Sequence, residues 1–160
     1  MSDNKTVQSP KVGVVAILIS DGKVLLGKRK QRLAQGTWAP PGGHLEFREE
    51  IDACAIREVK EETGIEIKNV RFGTLTNNFF AETDEHFVVP VMVAECDAAH
   101  AKNIEPENFE SWGWFEWNDL PKPLFLCLEN ALKNNFSPFE SQKQTKTPKL
   151  ASLMKVFSKR

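Results

Sequence analysis

Residues 12–19 read Val-Gly-Val-Val-Ala-Ile-Leu-Ile, an almost unbroken aliphatic and β-branched run. A half-exposed strand would alternate apolar with polar side chains, so this run reads as a strand buried on both faces. Everything else must then pack around it. The chain has 160 residues and a mass of 18.1 kDa, enough for one domain that buries about 69% of its surface without staples. Asp21-Gly22 is a tight-turn dipeptide and Val24-Leu25-Leu26 resumes strand character, so residues 12–28 read as a hairpin. Pro40-Pro41-Gly42-Gly43 is a loop that cannot be helix. Residues 70–76, 87–94 and 112–117 read as further strands, and residues 124–132 as an amphipathic helix.

The 21 basic and 22 acidic residues nearly cancel, leaving a net charge of −1. A general affinity for a nucleic-acid polymer is therefore not expected, and bound phosphate would need local positive charge or a metal. Cys54, Cys96 and Cys127 are widely spaced and odd in number. That pattern offers neither a zinc cage nor a disulfide framework and fits a reducing compartment. Residues 1–10 are polar and lack a signal core, and no apolar run approaches the roughly 18 residues of a membrane span. The expectation is a cytoplasmic protein without a membrane partner: a loose leader (1–10), a folded domain (11–139) and a mobile basic tail (140–160). In the tail, Leu150, Leu153, Met154 and Phe157 share one helical face, but the polar linker before them favours a solvated appendage.

The helix read over residues 49–63 carries the most chemistry. It is acidic at its start and has Gly64 just past its end as a C-cap. At about 100° per residue, Ala55, Ile56 and Val59 share the arc expected to face the core. Glu58, Glu61 and Glu62 share a neighbouring arc. Three like charges on one face destabilise a helix, and no cation follows at residues 64–66. The pattern makes sense with divalent cations among the carboxylates, and hard oxygen ligands suit Mg²⁺ or Mn²⁺. The competing reading is a solvated acidic face. The preceding loop shifts the balance, because Gly42 and Gly43 let the backbone approach a ligand and offer carbonyls to a metal shell. Arg57 stands among the carboxylates, and Glu49 lies eight residues earlier, placed to pair with it and hold the loop against the helix.

Gly43, five residues, Glu49, seven residues, then Arg57-Glu58-Val59-Lys60-Glu61-Glu62-Thr63-Gly64-Ile65 resembles the Nudix box at every defined position. Gly13-Val14-Val15, Leu25-Leu26-Gly27-Lys28-Arg29, Pro41-Gly42-Gly43-His44-Leu45-Glu46 and Glu110-Ser111-Trp112-Gly113-Trp114 extend the resemblance to the MutT-related nucleoside triphosphate diphosphatases, over residues 11–136. Residues 103–125 look most like the thiopurine-nucleotide-hydrolysing branch of that group. The resemblance implies the Nudix fold, an α/β/α sandwich around a mixed β-sheet with the box as loop–helix–loop. It implies metal-dependent hydrolysis of nucleoside triphosphates, ordinary or damaged, to nucleoside monophosphate and pyrophosphate. Two alternatives stay open: a nucleotide-sugar or dinucleotide substrate, and a non-catalytic nucleotide-sensing module. The intact Glu58, Glu61 and Glu62 speak against the module.

By the same resemblance Glu58 and Glu62 are metal ligands, Glu61 is a ligand or the base that activates water, and the Gly42 carbonyl completes the shell. Family members differ over the base, which leaves Glu61 and Glu58 as catalytic residues. A further acidic ligand is expected from a later loop, Glu110 first and Glu107 second. Arg29 and His44 flank the loop as phosphate contacts. Phe125 matches a base-contacting phenylalanine, whereas Trp38, Trp112, Trp114 and Trp117 read as packing. Ala39-Pro40 stands where the resembled branch has Gln-Leu, whose Gln helps read the base, so the preferred base does not carry over. The implied cofactor is Mg²⁺, or Mn²⁺, and the implied partners are a nucleotide substrate and a second copy in a homodimer.

Overall fold

The computed structural model describes residues 8–97 and 101–140. The expectations for residues 1–7 and for residues 141–160 lie outside the described residues. In chain order the elements are β1 (Lys11–Ser20), β2 (Lys23–Arg29), β3 (Trp38–Ala39), β4 (Gly42–His44), α1 (Ile51–Thr63), β5 (Arg71–Phe80), β6 (Glu85–Glu95), β7 (Phe109–Glu116) and α2 (Leu126–Lys133). The strands form one sheet in the order β3-β2-β1-β6-β5, with β4 added to β1 and β7 to β2. The sheet is mixed: β1 pairs parallel with β6 and antiparallel with β2 and β4.

The aliphatic run is the central strand, and its last eight residues are buried. Its even positions, Val14, Ala16 and Leu18, pack with Cys54, Ala55 and Val59 of α1. Its odd positions, Val15, Ile17 and Ile19, pack with Cys127 and Leu128 of α2 on the opposite face. Two cores, one on each side of one sheet, follow from the two-residue period of a strand. Each fully buried aliphatic side chain contributes roughly 1.5–3 kcal/mol.

The boundaries differ from the sequence reading in instructive ways. Helix α1 begins at Ile51, because Glu50 is its N-cap with extended backbone at φ −74°, ψ 147°. Gly64 closes it in the left-handed region at φ 73°, and its N–H donates to the Lys60 carbonyl. Ile56 does not join the core arc: it is 38% exposed, and the buried arc runs through Cys54, Ala55 and Val59 to Glu62 and Thr63. Gly42 and Gly43, expected in a loop, instead form β4 against Val14 and Val15. A Cβ on Gly42 would collide with the Val14 carbonyl oxygen and lie 2.7 Å from Val15 Cα, so only glycine permits this close pairing. Helix α2 starts after Phe125, whose extended backbone donates its N–H to the Trp38 carbonyl at 2.9 Å. Among the described residues, no helix is long and apolar enough to cross a membrane.

Candidate active site

The pairing of β4 with β1 lays the Gly-Gly segment beside the acidic face of α1. Between them opens a cavity of about 550 Å³, whose walls also include residues of β2, β5, β6 and α2. Its lining combines acidic with aromatic side chains. Glu58 and Glu62 line it from α1, and Glu105 lines it from the turn before β7. Arg29, His44, Phe80, Phe87 and Phe125 complete it.

The three box carboxylates are not equivalent. Glu62 is 4% exposed, and the Gly42 N–H donates to its Oε2 at 2.9 Å. No cation lies within ion-pair distance of it among the described residues. Burial pushes its carboxyl up to about 9, and repulsion from Glu58 and Glu105 acts in the same direction. Glu58 presses against Gly43 so closely that a Cβ there would overlap its carboxylate oxygens. Its carboxyl is also raised by burial, against the pull of Arg57. The Glu61 side chain is half-exposed and lies outside the cavity lining, where its Oε2 accepts from Arg57 Nη1 at 3.2 Å.

Arg57 organises this wall. Its Nε and Nη2 donate to the two oxygens of Glu49 at 2.7 and 2.9 Å, a bidentate pair. Its Nη1 donates to Glu58 Oε1 at 2.7 Å and its Nη2 to the His44 carbonyl at 3.2 Å. One guanidinium thus ties the loop carrying β4 to the helix and holds Glu58 and Glu61 side by side. The hydrogen bonds from Arg57, joined by the Glu46 N–H, hold the Glu49 carboxyl down at about 2.

The structure brings Arg29, His44 and Phe125 to the same cavity. The Arg29 guanidinium carbon stands 4.6 Å from the centroid of the Phe125 ring, and the His44 ring 5.6 Å from that of Phe87. It does not bring Glu110 or Glu107 there. Glu110 points outward from β7 and pairs with Lys28 at 3.1 Å. Sequence reasoning passed over Glu105, which lines the cavity. Asn108 donates to Glu105 Oε2 at 2.7 Å through Nδ2 and to its carbonyl at 2.9 Å through the backbone, fixing the turn. The available signal was strand alternation: with Phe109 buried, Glu110 must face the other way.

The donor set suits a hard cation, since carboxylates and a backbone carbonyl are the oxygen ligands Mg²⁺ and Mn²⁺ prefer. A carboxyl buried without a cation, as Glu62 is, gains most from one. Among the described residues no three His, Cys, Asp or Glu side chains converge as a ready-made cage. Cys127 also lines the cavity, but burial pushes its thiol up to about 12, so it offers no nucleophile at neutral pH.

A sequence profile of the NUDIX domain matches residues 8–134. The ADP-ribose pyrophosphatase of Methanocaldococcus jannaschii is 30% identical over 116 residues, covering 72% of this chain and 68% of that protein. The oxidized purine nucleoside triphosphate hydrolase of Danio rerio is 26% identical over 112 residues, covering 69% of each. Among solved structures, a MutT NUDIX hydrolase from Burkholderia pseudomallei superposes with a TM-score of 0.74 at 34% identity, covering 79% of this chain and 98% of that one.

Proposed function

The chain belongs to the Nudix hydrolase family, and from that premise we propose that it hydrolyses nucleoside triphosphates to nucleoside monophosphate and pyrophosphate with the help of Mg²⁺ or Mn²⁺. The observation that carries the reading is one cavity lined by the Glu58 and Glu62 carboxylates together with Arg29 and Phe125. Its volume of about 550 Å³ falls in the range of small-molecule sites.

In this reading Glu58, Glu61, Glu62 and the Gly42 carbonyl would hold the metal, with Glu105 as the later acidic group. When bound, the cation neutralises phosphate charge and makes water more acidic. The protein's own groups do the rest. Arg57 keeps Glu58 and Glu61 oriented and the β4 loop in place. Glu61 or Glu58 accepts the proton of the attacking water, whose oxygen bonds to phosphorus as a bridging P–O bond breaks and pyrophosphate leaves. His44 faces the phosphates, and Phe125 offers a ring for the base.

The similarity to the M. jannaschii enzyme favours a second reading, in which the substrate is a nucleoside diphosphate linked to a sugar. A panel of nucleoside triphosphates, ADP-ribose and dinucleoside polyphosphates, scored by kcat/KM and product identity, separates the two. Triphosphates should lead the ranking; ADP-ribose far ahead of every triphosphate would overturn the first reading. The homodimer expected from the sequence belongs to the same proposal, and light scattering that shows a monomer at micromolar concentration contradicts it.

A further inference from the structure

Strand β5 ends the sheet, and one of its faces is left bare among the described residues. Cross-strand partners point to the same side of a sheet. Phe72 stands opposite Met92, Leu75 opposite Pro90, Asn77 opposite Val88 and Phe79 opposite His86. Positions 86, 88, 90 and 92 alternate along β6, so all these side chains share the face on which Met92 meets the α1 core. Phe72 and Leu75 are three residues apart and would face opposite ways in a regular strand. The bulge between Phe72 and Thr74 brings them to one side.

Helix α1 leaves this part of the sheet uncovered. Among the described residues, the core beneath it draws on β1, β2 and β6 and takes nothing from β5. Phe72 is therefore 48% exposed, Leu75 52% and Phe79 63%. The other face of the same strand is closed, with Thr76 and Asn78 buried and Phe80 packed on the α2-side core. Apolar side chains exposed singly need no explanation, but a contiguous row marks an interaction surface. The two phenylalanines alone leave about 200 Å² in water. Phe79 is also held in place. The His86 ring lies 4.3 Å from it, and His86 Nε2 is hydrogen-bonded to Asn77 Oδ1. A side chain already ordered loses little freedom on docking.

The spacing of the row identifies its occupant. Phe72 lies three residues before Leu75 and Phe79 four after it. A two-fold axis through Leu75 therefore sets Phe72 of each copy against Phe79 of the other. Sheets packed face to face stand about 10 Å apart, close enough for these side chains to interdigitate. The charges follow the same symmetry. Lys68 and Arg71 are exposed at one end of the row, Glu82 and Asp84 at the other. Neighbouring carboxylates are already paired, Glu66 with Lys60 and Glu85 with Lys11. Turned about the axis, the basic end of each copy meets the acidic end of the other.

We propose that the α1-side face of β5 is an interface between two copies of this chain, packed antiparallel and face to face with Leu75 near the two-fold axis. It rests on the homodimer reading above and adds the surface, the symmetry and the residues. Asn78 and Phe80 line the cavity from the opposite face of β5, so each copy keeps a site of its own.

Sedimentation velocity on the full chain, across micromolar concentrations, compares the wild type with Leu75→Arg, Phe79→Glu, Lys68→Glu, Glu82→Lys and the double variant K68E/E82K. Circular dichroism melts establish folding. The wild type is expected to be a dimer, and Leu75→Arg and Phe79→Glu should each weaken it by at least about 30-fold. Lys68→Glu and Glu82→Lys should each weaken it several-fold at low salt, and the double variant should recover most of that loss, a rescue that misfolding cannot imitate. A dimer that survives both apolar-row substitutions in folded protein would overturn the surface and leave the homodimer reading standing. A wild type that is monomeric at every concentration would end both. A protein that is monomeric at full length but dimeric when ended at Phe139 would show residues 141–160 covering the face, and would also overturn the proposal.

Discussion

Replacing Glu62 with glutamine should make the metal-free protein more stable while reducing its activity by orders of magnitude. The Glu62 carboxyl is buried, accepts one hydrogen bond from the Gly42 N–H, and has no cation partner among the described residues. Its ordinary value of 4.5 in the unfolded chain rises to about 9 in the fold, chiefly through burial. The native state therefore holds a proton that the unfolded state releases across that window. Stability is full below about pH 4.5 and declines as pH rises toward 9. At about 1.4 kcal/mol per pH unit, the penalty at pH 7 is about 3 kcal/mol. Glutamine keeps the shape and can still accept from Gly42, but carries no charge. For a chain this size it should melt about 6–12 °C higher at pH 7 in EDTA, with a gap that widens between pH 5 and pH 9. Circular dichroism melts across that range read the effect. Saturating Mg²⁺ should raise the wild-type melting temperature and do little for the variant. A Gln variant that melts lower than the wild type at pH 8, or a gap that does not change with pH, would refute the reasoning.

Arg57→Ala should lose stability and activity together, because one guanidinium holds Glu49, Glu58 and Glu61. Thermal melts should show a drop of several degrees, and an unchanged melting temperature would contradict the anchoring role. The same pair predicts an acid limb: Glu49 stays ionised to about pH 2 in the fold but only to about 4.5 unfolded, so stability falls as pH drops through that window. In Arg57→Ala that limb should flatten in melts between pH 5 and pH 3. Ending the chain at Phe139 should leave melting temperature and turnover close to those of the full chain, as expected of an appendage; a melting temperature several degrees lower would show that residues 140–160 dock on the domain.

What the sequence reveals and conceals follows from the range of the interactions involved. The run at residues 12–19 identifies the central strand, because a nearly unbroken aliphatic and β-branched stretch suits a strand covered on both faces, and all of it but Val12 is buried. The acidic arc of α1 is equally legible, since helical spacing alone brings Glu58 near Glu61 and Glu62. Its division into a buried Glu62 and an outer Glu61 is not, because that depends on the tilt of α1 against β1 and β4. Glycines are rare in strands, so nothing local announces β4; the close approach of Gly42 to Val14 is a tertiary fact. Strand β5 runs on to Phe80 through Asn77 and Asn78, past the end at residue 76 expected from the sequence, because asparagine is uncommon in strands. Asn78 is buried there because Asn130, 52 residues away, completes its hydrogen bonds. Glu105, Glu107 and Glu110 sit within six residues of one another, and only the turn at Asn108 and the facing of β7 decide which one reaches the cavity.

The most direct test is hydrolysis of a nucleoside triphosphate with the products resolved, in Mg²⁺ and then in excess EDTA. Nucleoside monophosphate and pyrophosphate should form in equal amounts, fall to background in chelator, and return when Mg²⁺ is restored in excess. Full activity in chelator, or release of orthophosphate with nucleoside diphosphate, would contradict a carboxylate-bound metal acting on the α–β linkage.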